Sequence, residues 1–367
     1  MIKIGIDTRL TYYRDGGIST YIRRLIDALS EMQSQSHQIT IFQSRKDPRR
    51  ISDTFEHSQL WTPAHHTIER IALSIELAWR NLDVFHSPDF IPPYRAAKRH
   101  VITVHDLTFL HYPQYLTAES RKYYNQQIAG ACRHANAILA VSQATKQDLI
   151  TMLNVPESKI YVQPHGVDSH YQRLPDDEIG KVLAHLQLPR PYFLHVGTWE
   201  PRKNILGLIQ GYKLLLQDHP DAPPVLLVGR PGWLFEETRT EIQRLGISDR
   251  ILWRDNVSDA QLPAIYNAAA ALISASFYEG FGMPALEAMA CGTIPIVSNR
   301  SSFPEVVGNI GLLIDPDDPQ TIAQALHQIL SDTSWVQSQS EAAAKRAKQF
   351  TWKQSAEIAL QAYTSVL

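Results

Sequence analysis

The order of apolar segments constrains the fold of this chain most, because one strand–helix alternation runs through it twice. In the first half, helical segments separate several short β-type runs: "KIGID" (3–7), "QITIF" (38–42), "VFHS" (84–87), "RHVITVHD" (99–106), "AILAVS" (137–142) and "IYVQP" (160–164). The pattern then restarts with a second set of runs: "YFLHVG" (192–197), "PVLLVG" (224–229), "ILWRD" (251–255), "ALISAS" (271–276), "IPIVSN" (294–299) and "GLLID" (311–315). Alternation of this kind predicts parallel sheets covered by helices on both faces.

We therefore predict an α/β protein with two Rossmann-like, doubly wound domains, for which 367 residues is a suitable length. A polar, proline-bearing stretch at 168–191 is the best candidate for the linker. We place the domains at 1–175 and 176–348, and a C-terminal helix at 349–367. Helical spacing also predicts a helix over 19–32 with Ser19 as its N-cap, and a break in the helical tail near Phe350–Thr351.

Composition excludes several classes of function. The formal net charge is −2, so no global basic field favours nucleic acid. Two cysteines far apart form neither a disulfide framework nor a CxxC pair, which suits a reducing cytosol. The N-terminus reads as a short strand without a cleavage site, and no apolar run approaches 18 residues. We expect a cytoplasmic protein whose membrane contact is at most peripheral, at the inner membrane.

Ligands of doubly wound domains bind at the carboxyl ends of the strands, so residues that follow strands are the first candidates. Gly16 and Gly17 lie after the first strand and before a helix, where bare backbone can approach an anion. An ordinary strand–helix turn is the alternative. His105 follows "VITV" and could bond a sugar hydroxyl or polarise a leaving phosphate. A structural histidine bonded to backbone is the alternative.

Two cations follow the first strand of the second domain. Arg202 and Lys203 in "TWEPRKN" precede a helix, where positive charge opposes the helix dipole. A di-anion bound between the helix end and these cations would reverse that effect, which favours a diphosphate site. Arg230, after "LLVG", is a weaker third candidate.

The segment "SFYEGFGMPALEAMACG" (276–292) holds two glutamates on either side of a glycine turn. Gly280 and Gly282 allow a tight turn that leaves N–H groups free at a helix N-terminus, with Pro284 at the first helical position. Glu279 and Glu287 would repel phosphates there. Their carboxylates suit vicinal hydroxyls instead, as in a ribose or a sugar. The segment therefore predicts a site for a nucleotide-sugar.

Together these motifs resemble the GT-B glycosyltransferases of glycosyltransferase family 4, a retaining family with an E-x7-E signature. The resemblance covers nearly the whole chain through segments that fall in order: "DGGISTYIRRL", "VHDLTFL", "AVSQATKQDL", "PHGVD", "HVGTWEPRKN", "YEGFGMPALEAMACG" and "SSFPEVVG". Within the family the chain is most similar to bacterial mannosyl- and glucosyltransferases of polysaccharide assembly. The resemblance implies two domains that face each other across a cleft, and a C-terminal helix that crosses back to the N-terminal, acceptor-side domain.

The resemblance also implies a role for each matching residue. Glu279 would contact hydroxyls of the donor sugar, His105 would reach that sugar near the reacting carbon, and Lys203 with Arg202 would neutralise the diphosphate. The other expected donor contacts are Gly16, Gly17, Gly197, Arg230, Asn256, Val257, Gly280, Phe281, Gly282, Met283 and Glu287. Of these, Glu287 would bind the ribose diol, and 256–258 would border the base.

One position departs from the family pattern. Many relatives have an arginine directly after the glycine of the "HVG" strand, whereas Thr198 and Trp199 follow Gly197 here. The basic clamp would then consist of Lys203 with Arg202, or be completed by Arg230.

We expect transfer with retention from a UDP- or GDP-hexose to a saccharide or lipid-linked saccharide. Fixed cations and helix-end N–H groups would stabilise the leaving diphosphate, so no metal and no other cofactor is expected. "DPDDP" (315–319) contains an Asp-x-Asp sequence but favours a turn that caps the next helix.

Three alternatives stay open at this stage. A glycosidase would use Glu279 and Glu287 as nucleophile and acid/base, but the phosphate site would then be unexplained. A GT-B-like nucleotide-sugar epimerase shares the cleft. A non-catalytic sugar-binding protein has a similar outline.

The segment "HTIERIALSIELAWRNL" (66–82) is amphipathic. It is either a helix that faces the core or a surface that holds a lipid-linked acceptor at a membrane. Ile71 and Leu77 are its candidate contacts with lipid.

Overall fold

The computed structural model describes residues 1–13, 16–32, 36–66, 68–115, 118–232 and 235–367. The chain divides into two compact units. Unit 1 comprises Met1–Gly166 and Thr351–Leu367, and unit 2 comprises Val167–Phe350. The first division therefore falls at 166/167 where the sequence suggested 175/176, and the second falls at 350/351 where the sequence suggested 348/349.

Unit 1 contains a parallel sheet of seven strands: β1 (Ile2–Asp7), β2 (His37–Ser44), β3 (Glu56–Leu60), β4 (Leu82–Ser87), β5 (Ala97–Val104), β6 (Ala137–Ala140) and β7 (Ile160–Val162). Their spatial order is β3-β2-β1-β4-β5-β6-β7. The apolar pattern predicted every strand except β3. That strand, "EHSQL", lies at the edge of the sheet and buries only Leu60, so it lacks the apolar run of a central strand.

Helices connect the strands of unit 1: α1 (Leu10–Tyr13), α2 (Gly17–Glu31), α3 (Glu69–Leu77), α4 (Thr108–His111), α5 (Ala118–His134) and α6 (Gln143–Leu153). The predicted N-cap of α2 was wrong. The helix begins two residues earlier, Gly16 occupies the N-cap, and Ser19 is buried inside the helix.

Unit 2 contains a parallel sheet of six strands: β8 (Tyr192–Val196), β9 (Val225–Val228), β10 (Ile251–Arg254), β11 (Ala269–Ser274), β12 (Pro295–Ser298) and β13 (Leu312–Ile314). All six were predicted. Their order is β10-β9-β8-β11-β12-β13, which repeats the arrangement of the first six strands of unit 1. In each unit the strand order reverses at the first strand, between β1 and β4 and between β8 and β11. Doubly wound sheets bind ligands at such switch points.

Unit 2 also contains eight helices in the part of the chain that the structure describes: α7 (Asp176–Leu186), α8 (Ile205–Asp218), α9 (Phe235–Arg244), α10 (Leu262–Ala268), α11 (Met283–Ala290), α12 (Phe303–Val307), α13 (Pro319–Ser331) and α14 (Thr333–Ala347). The predicted linker at 168–191 is therefore not a linker, because it contains α7. Polar residues dominate this stretch, but Ile179 and Leu183 lie one turn apart and are both buried.

The "DPDDP" turn has the predicted capping role. The Asp318 side chain accepts a hydrogen bond from the Gln320 N–H at the start of α13. Asp315 accepts a 2.9 Å bond from the Arg300 guanidinium. The turn is thus held by a cap and an ion pair.

Helix α15 (Trp352–Ser365) returns the chain to unit 1, after a break at the predicted place. Thr351 is its N-cap, with a side chain that accepts from the Gln354 N–H. Tyr363 is fully buried in unit 1, and its hydroxyl is 2.7 Å from Nδ1 of His86 on β4. Helix α15 therefore packs into the core of unit 1 through its buried side.

Candidate functional site

The switch point of unit 2 brings three of the predicted catalytic side chains together. Strands β8 and β11 are neighbours, so the segments that follow them meet at one edge of the sheet. Lys203 Nζ lies 2.6 Å from Glu279 Oε1, and an Arg202 guanidinium nitrogen lies 2.9 Å from Glu279 Oε2. All three side chains are largely buried: the exposed fraction is 12% for Lys203, 17% for Arg202 and 11% for Glu279. We call these three residues the cation–glutamate cluster.

Hydrogen bonds from backbone and side-chain donors fix the geometry of the cluster. The Phe277 N–H donates to the Arg202 carbonyl at 3.0 Å. The Arg202 guanidinium in turn donates to the Tyr278 carbonyl at 2.8 Å. Ser276 Oγ donates to Glu279 Oε1 at 2.8 Å. The two strand-end segments are therefore tied to each other, and the cations have fixed positions.

Glu279 is an ionised counter-charge in this arrangement. Burial would raise the pKa of its carboxyl, but the attraction of Arg202 and Lys203 outweighs burial and lowers that pKa to about 2. The sequence suggested that a bound di-anion would offset the unfavourable placement of two cations before a helix. In the structure, the Glu279 carboxylate supplies that negative charge, together with Glu200, whose carboxylate lies 2.6 Å from the Arg202 guanidinium.

The Gly-Phe-Gly turn lies next to the cluster and opens α11. Gly282 is the N-cap residue with a φ of +94°, a conformation that only glycine adopts readily. A Cβ at this position would also lie 2.7 Å from the Phe303 ring. Gly280 and Phe281 are buried, and Met283 is the first residue of α11. The turn therefore has the backbone geometry that an anion site at a helix N-terminus requires.

Glu287 lies in a different environment from Glu279. Its carboxylate accepts a 2.7 Å hydrogen bond from the Tyr266 hydroxyl. Burial raises the pKa of Glu287 to about 7; the Tyr266 bond opposes that effect, and the nearby Asp259 and Asp168 reinforce it. The two glutamates of the signature thus differ strongly in charge behaviour, because only Glu279 faces cations.

His195 on β8 is a neighbour of the cluster that the sequence analysis missed. Its Nδ1 is 3.0 Å from the Ile273 carbonyl, and its buried Nε2 has no hydrogen-bond partner among the described residues. Burial, followed by the charge of Lys203, lowers the pKa of His195 to about 4, so the ring is neutral at pH 7. A histidine inside the apolar run "YFLHVG" was the available signal.

The other residues of unit 2 that were predicted to contact the donor sugar-nucleotide are not ion-paired with this cluster among the described residues. Gly197 adjoins the cluster, since a Cβ there would lie 3.5 Å from Lys203 Cε. Arg230 is exposed, and among the described residues no ion pair joins its guanidinium to the cluster. Asn256 is exposed and Val257 half-buried after β10. Arg202 with Lys203 is therefore the cation pair that the structure brings together.

Gly16, Gly17 and His105 belong to unit 1. A Cβ at Gly16 or Gly17 would meet no described atom within 4 Å, so packing against described residues does not require glycine there. His105 Nε2 is 2.9 Å from the Pro88 carbonyl. Burial lowers the pKa of His105, although that carbonyl and two nearby aspartates oppose the shift.

An ion-pair cluster at the switch point of unit 1 was also missed. The buried Arg9 guanidinium lies 2.6 Å from Asp7 and 2.6 Å from Glu69, and it donates to the Thr62 carbonyl. It neutralises the carboxylate at the end of β1 and anchors the start of α3.

The described part of the chain contains no group of three or more His, Cys, Asp or Glu side chains that could hold a metal ion. Within the same residues, no helix combines the length and apolar character needed to span a bilayer.

Comparison with known proteins identifies the family of the chain. Residues 184–350 match the family model "Glycosyl transferases group 1", and residues 15–171 match the model "Glycosyltransferase Family 4". The chain is 35% identical to the O-antigen chain mannosyltransferase B of Escherichia coli over 281 residues, which is 76% of this chain and 74% of that protein. It is 29% identical to a serotype-specific mannosyltransferase WbdA of E. coli over 76% of this chain, but it spans only 35% of that longer protein.

Solved structures share the fold at low sequence identity. A sucrose-phosphate synthase from Thermosynechococcus elongatus superposes with a TM-score of 0.78 at 21% identity, covering 100% of this chain and 99% of that one. A protein from Anabaena in complex with UDP and glucose gives 0.76 at 16% identity, with both chains covered fully. The predicted GT-B fold class is confirmed by these likenesses and by the two parallel sheets. The chain is an enzyme that belongs to the GT-B glycosyltransferases of glycosyltransferase family 4.

Proposed function

We propose that this glycosyltransferase moves a hexose from a nucleoside diphosphate sugar to a saccharide or lipid-linked saccharide in the assembly of a bacterial polysaccharide. The E. coli relative at 35% identity is named an O-antigen mannosyltransferase, which favours mannose over glucose. The structural neighbour with UDP and glucose supports a donor of the same chemical type. GDP and UDP are both retained as carriers, and the cytoplasm, where nucleotide-sugars are made, is the proposed location.

The cation–glutamate cluster is the observation that carries this proposal. Two fixed cations lie within 3 Å of a carboxylate at a switch point, beside a glycine turn that opens a helix. Two cations held this close together require negative charge beside them, and in the structure the Glu279 carboxylate provides it. A leaving diphosphate would bring its charge to these same cations, at low solvent exposure where each charge acts strongly.

The proposed division of labour follows from the environments of the side chains. Lys203 and Arg202 stabilise the charge that grows on the leaving diphosphate, and the Gly280–Met283 backbone binds phosphate or sugar oxygens. Glu279 orients the cations and accepts from sugar hydroxyls. Glu287, which already accepts from one hydroxyl, accepts from those of the ribose. We propose that transfer retains the anomeric configuration and requires no divalent metal.

His105, Gly16 and Gly17 of unit 1 complete the proposed set. The His105 ring would donate to the transferred sugar, and the two glycines would let backbone approach the phosphates. Arg230, Asn256, Val257 and Gly197 are proposed contacts of the donor.

Release of nucleoside diphosphate tests the proposal. The purified enzyme is given GDP-mannose, UDP-mannose, GDP-glucose or UDP-glucose in turn, with and without a saccharide acceptor and with and without EDTA. We expect one donor to release diphosphate faster when acceptor is present, without loss in EDTA, and NMR of the product to show the donor's anomeric configuration. Isomerised donor without release would support the epimerase instead, and sugar binding without turnover would support a binding protein.

Variants of Lys203 test the cluster directly. We expect Lys203→Ala to lower the transfer rate about 100- to 1,000-fold, the usual cost of removing one group that stabilises developing charge. Lys203→Arg should recover part of the rate. The matched control is Lys181→Ala, because Lys181 is an exposed lysine of the same unit paired with Asp177. Full activity in Lys203→Ala would remove Lys203 from the diphosphate site.

A further inference from the structure

An exposed apolar stripe runs along α3 in unit 1. The side chains of Ile68, Ile71, Ile75 and Trp79 are 58%, 58%, 68% and 87% exposed. Ile71 and Ile75 lie one turn apart on the same side of α3, Ile68 directly precedes the helix, and Trp79 is two residues beyond its end. We call these four residues the α3 stripe. Single exposed apolar residues are common, but a contiguous row of large ones indicates a surface that binds something.

The opposite side of the same helix packs against the core of unit 1. Leu73 and Leu77 are fully buried against aromatic and aliphatic side chains of the sheet, including Phe42 and Phe85. The prediction that Leu77 contacts lipid was therefore wrong, whereas Ile71 is exposed. The helix is apolar on two sides, and packing within the chain explains only one of them.

Two further exposed aromatic residues flank the stripe. The loop that begins at Trp61 is fastened to α3, because Glu76 accepts hydrogen bonds from the Trp61 and Thr62 N–H groups at 2.6 and 3.1 Å. On the other side, Ser74 Oγ accepts from the Tyr94 N–H at 2.9 Å. Trp61 and Tyr94 are 72% and 50% exposed. Aromatic side chains with a polar group are well suited to a boundary between apolar and aqueous phases.

The charges around the stripe are positive. The Arg45 guanidinium lies 3.9 Å from the centre of the Trp61 ring, and Arg80 and Arg95 are exposed near the C-terminal end of α3. No carboxylate pairs with these three arginines among the residues that the structure describes. The two acids of α3 are engaged within the chain: the buried Glu69 pairs with Arg9, and Glu76 accepts hydrogen bonds from the loop after β3.

A groove of about 720 Å³ continues this positive region beyond the end of α3. Its lining includes Lys3, Arg95 and Lys98, with Asp83 as the one acid among its lining residues. Asp83 is already paired with Lys98 at 2.8 Å. A partner that covers this surface should therefore present both apolar chains and negative charge.

We propose that the α3 stripe and its flanking arginines dock unit 1 on the surface of an anionic lipid bilayer. The isoleucines and Trp79 would enter the boundary of the acyl chains, and Arg45, Arg80 and Arg95 would lie among the lipid phosphates. Helix α3 lies in the plane of the membrane and does not cross it. This inference goes beyond the proposed transfer reaction, since it concerns a surface formed by other residues.

Sedimentation with sucrose-loaded vesicles tests the proposal. Vesicles contain either phosphatidylcholine alone or a mixture with phosphatidylglycerol. We expect the protein to bind the anionic vesicles at least about tenfold more strongly, and added salt to reduce that difference. Ile71→Ser/Ile75→Ser should weaken binding by at least about tenfold, because each isoleucine loses its apolar burial. Leu313→Ser in unit 2 is the matched control, since Leu313 is 48% exposed but lies elsewhere.

Three results would overturn the proposal. The first is unchanged vesicle binding by Ile71→Ser/Ile75→Ser. The second is equal binding to neutral and anionic vesicles. The third is a dimer of this chain in light scattering that the double variant breaks without affecting vesicle binding, which would assign the stripe to protein association. Diphosphate release without vesicles should be the same in the double variant and the wild type, so failure here is distinct from failure of the proposed function.

Discussion

Replacing Glu279 with glutamine tests the physical account of the cation–glutamate cluster. The change keeps the size of the side chain but removes the negative charge between Arg202 and Lys203. A carboxyl whose pKa falls from 4.5 to about 2 on folding contributes on the order of 3 kcal/mol at neutral pH. Removing one partner of a buried ion pair typically costs about 3–5 kcal/mol. We therefore expect Glu279→Gln to destabilise unit 2 by about 3 kcal/mol at pH 7.

The lowered pKa of Glu279 determines how the stability of unit 2 changes with pH. The stabilisation is fully present above pH 4.5, the unperturbed pKa, and is lost as the pH falls from there towards 2. The wild type and Glu279→Gln should therefore converge in stability over that range. The rate of hydrogen exchange in peptides from β8 and β11 measures this difference in stability within unit 2. Glu241→Gln is the control, because Glu241 forms a surface ion pair with Arg244.

A nucleoside diphosphate sharpens the test. If the diphosphate binds as proposed, it competes with Glu279 for the cations in the wild type, whereas in the variant it supplies the missing negative charge. We expect the same ligand concentration to slow hydrogen exchange in β8 and β11 more in Glu279→Gln than in the wild type. Equal stability of the two proteins at pH 7, or equal protection by the ligand, would refute the counter-charge argument.

Three further predictions concern single residues. The affinity for nucleoside diphosphate, measured by calorimetry, should fall as the pH drops from 8 to 6. The reason is that Glu287, with a pKa of about 7, then loses the negative charge with which we propose it accepts ribose hydroxyls. In Glu287→Gln only the titration of the ligand itself should remain. Leu77→Glu should unfold unit 1 at a urea concentration well below that of the wild type, because Leu77 is fully buried, while Ile71→Glu should leave the urea midpoint nearly unchanged. Gly282→Ala should cost on the order of 1–3 kcal/mol in urea unfolding, because a φ of +94° strains any side chain and the added Cβ meets the Phe303 ring.

Most of the fold could be predicted because buried parallel strands are continuous apolar runs. Strand β3 was not predicted because it lies at the edge of its sheet and lacks an apolar run. Helix α7 was not predicted because only Ile179 and Leu183 mark its buried side. The N-cap of α2 was misplaced because glycine caps leave no side-chain signal. These errors all occur where a few buried side chains or none distinguish an element from a loop.

The candidate site was predictable as a set of residues but not as a set of contacts. Lys203 and Glu279 could be predicted as site residues because each follows a strand, and the two strands are neighbours in the sheet. The direct ion pair between them depends on the spatial order β8-β11, which sequence spacing does not contain. His195 was missed for a related reason: a histidine within an apolar run is one more buried residue until the structure shows Lys203 beside it.

The division of the chain also has a consequence for its synthesis. Unit 2 is one continuous segment, Val167–Phe350, whereas unit 1 needs the residues from Thr351 onward. Helix α15 buries Ala356, Ala359 and Tyr363 in the core of unit 1, so that core stays open until this helix has left the ribosome. Unit 2 can complete its sheet before then. Unit 2 of a nascent chain should therefore become protease-resistant first, although most of unit 1 is translated before it.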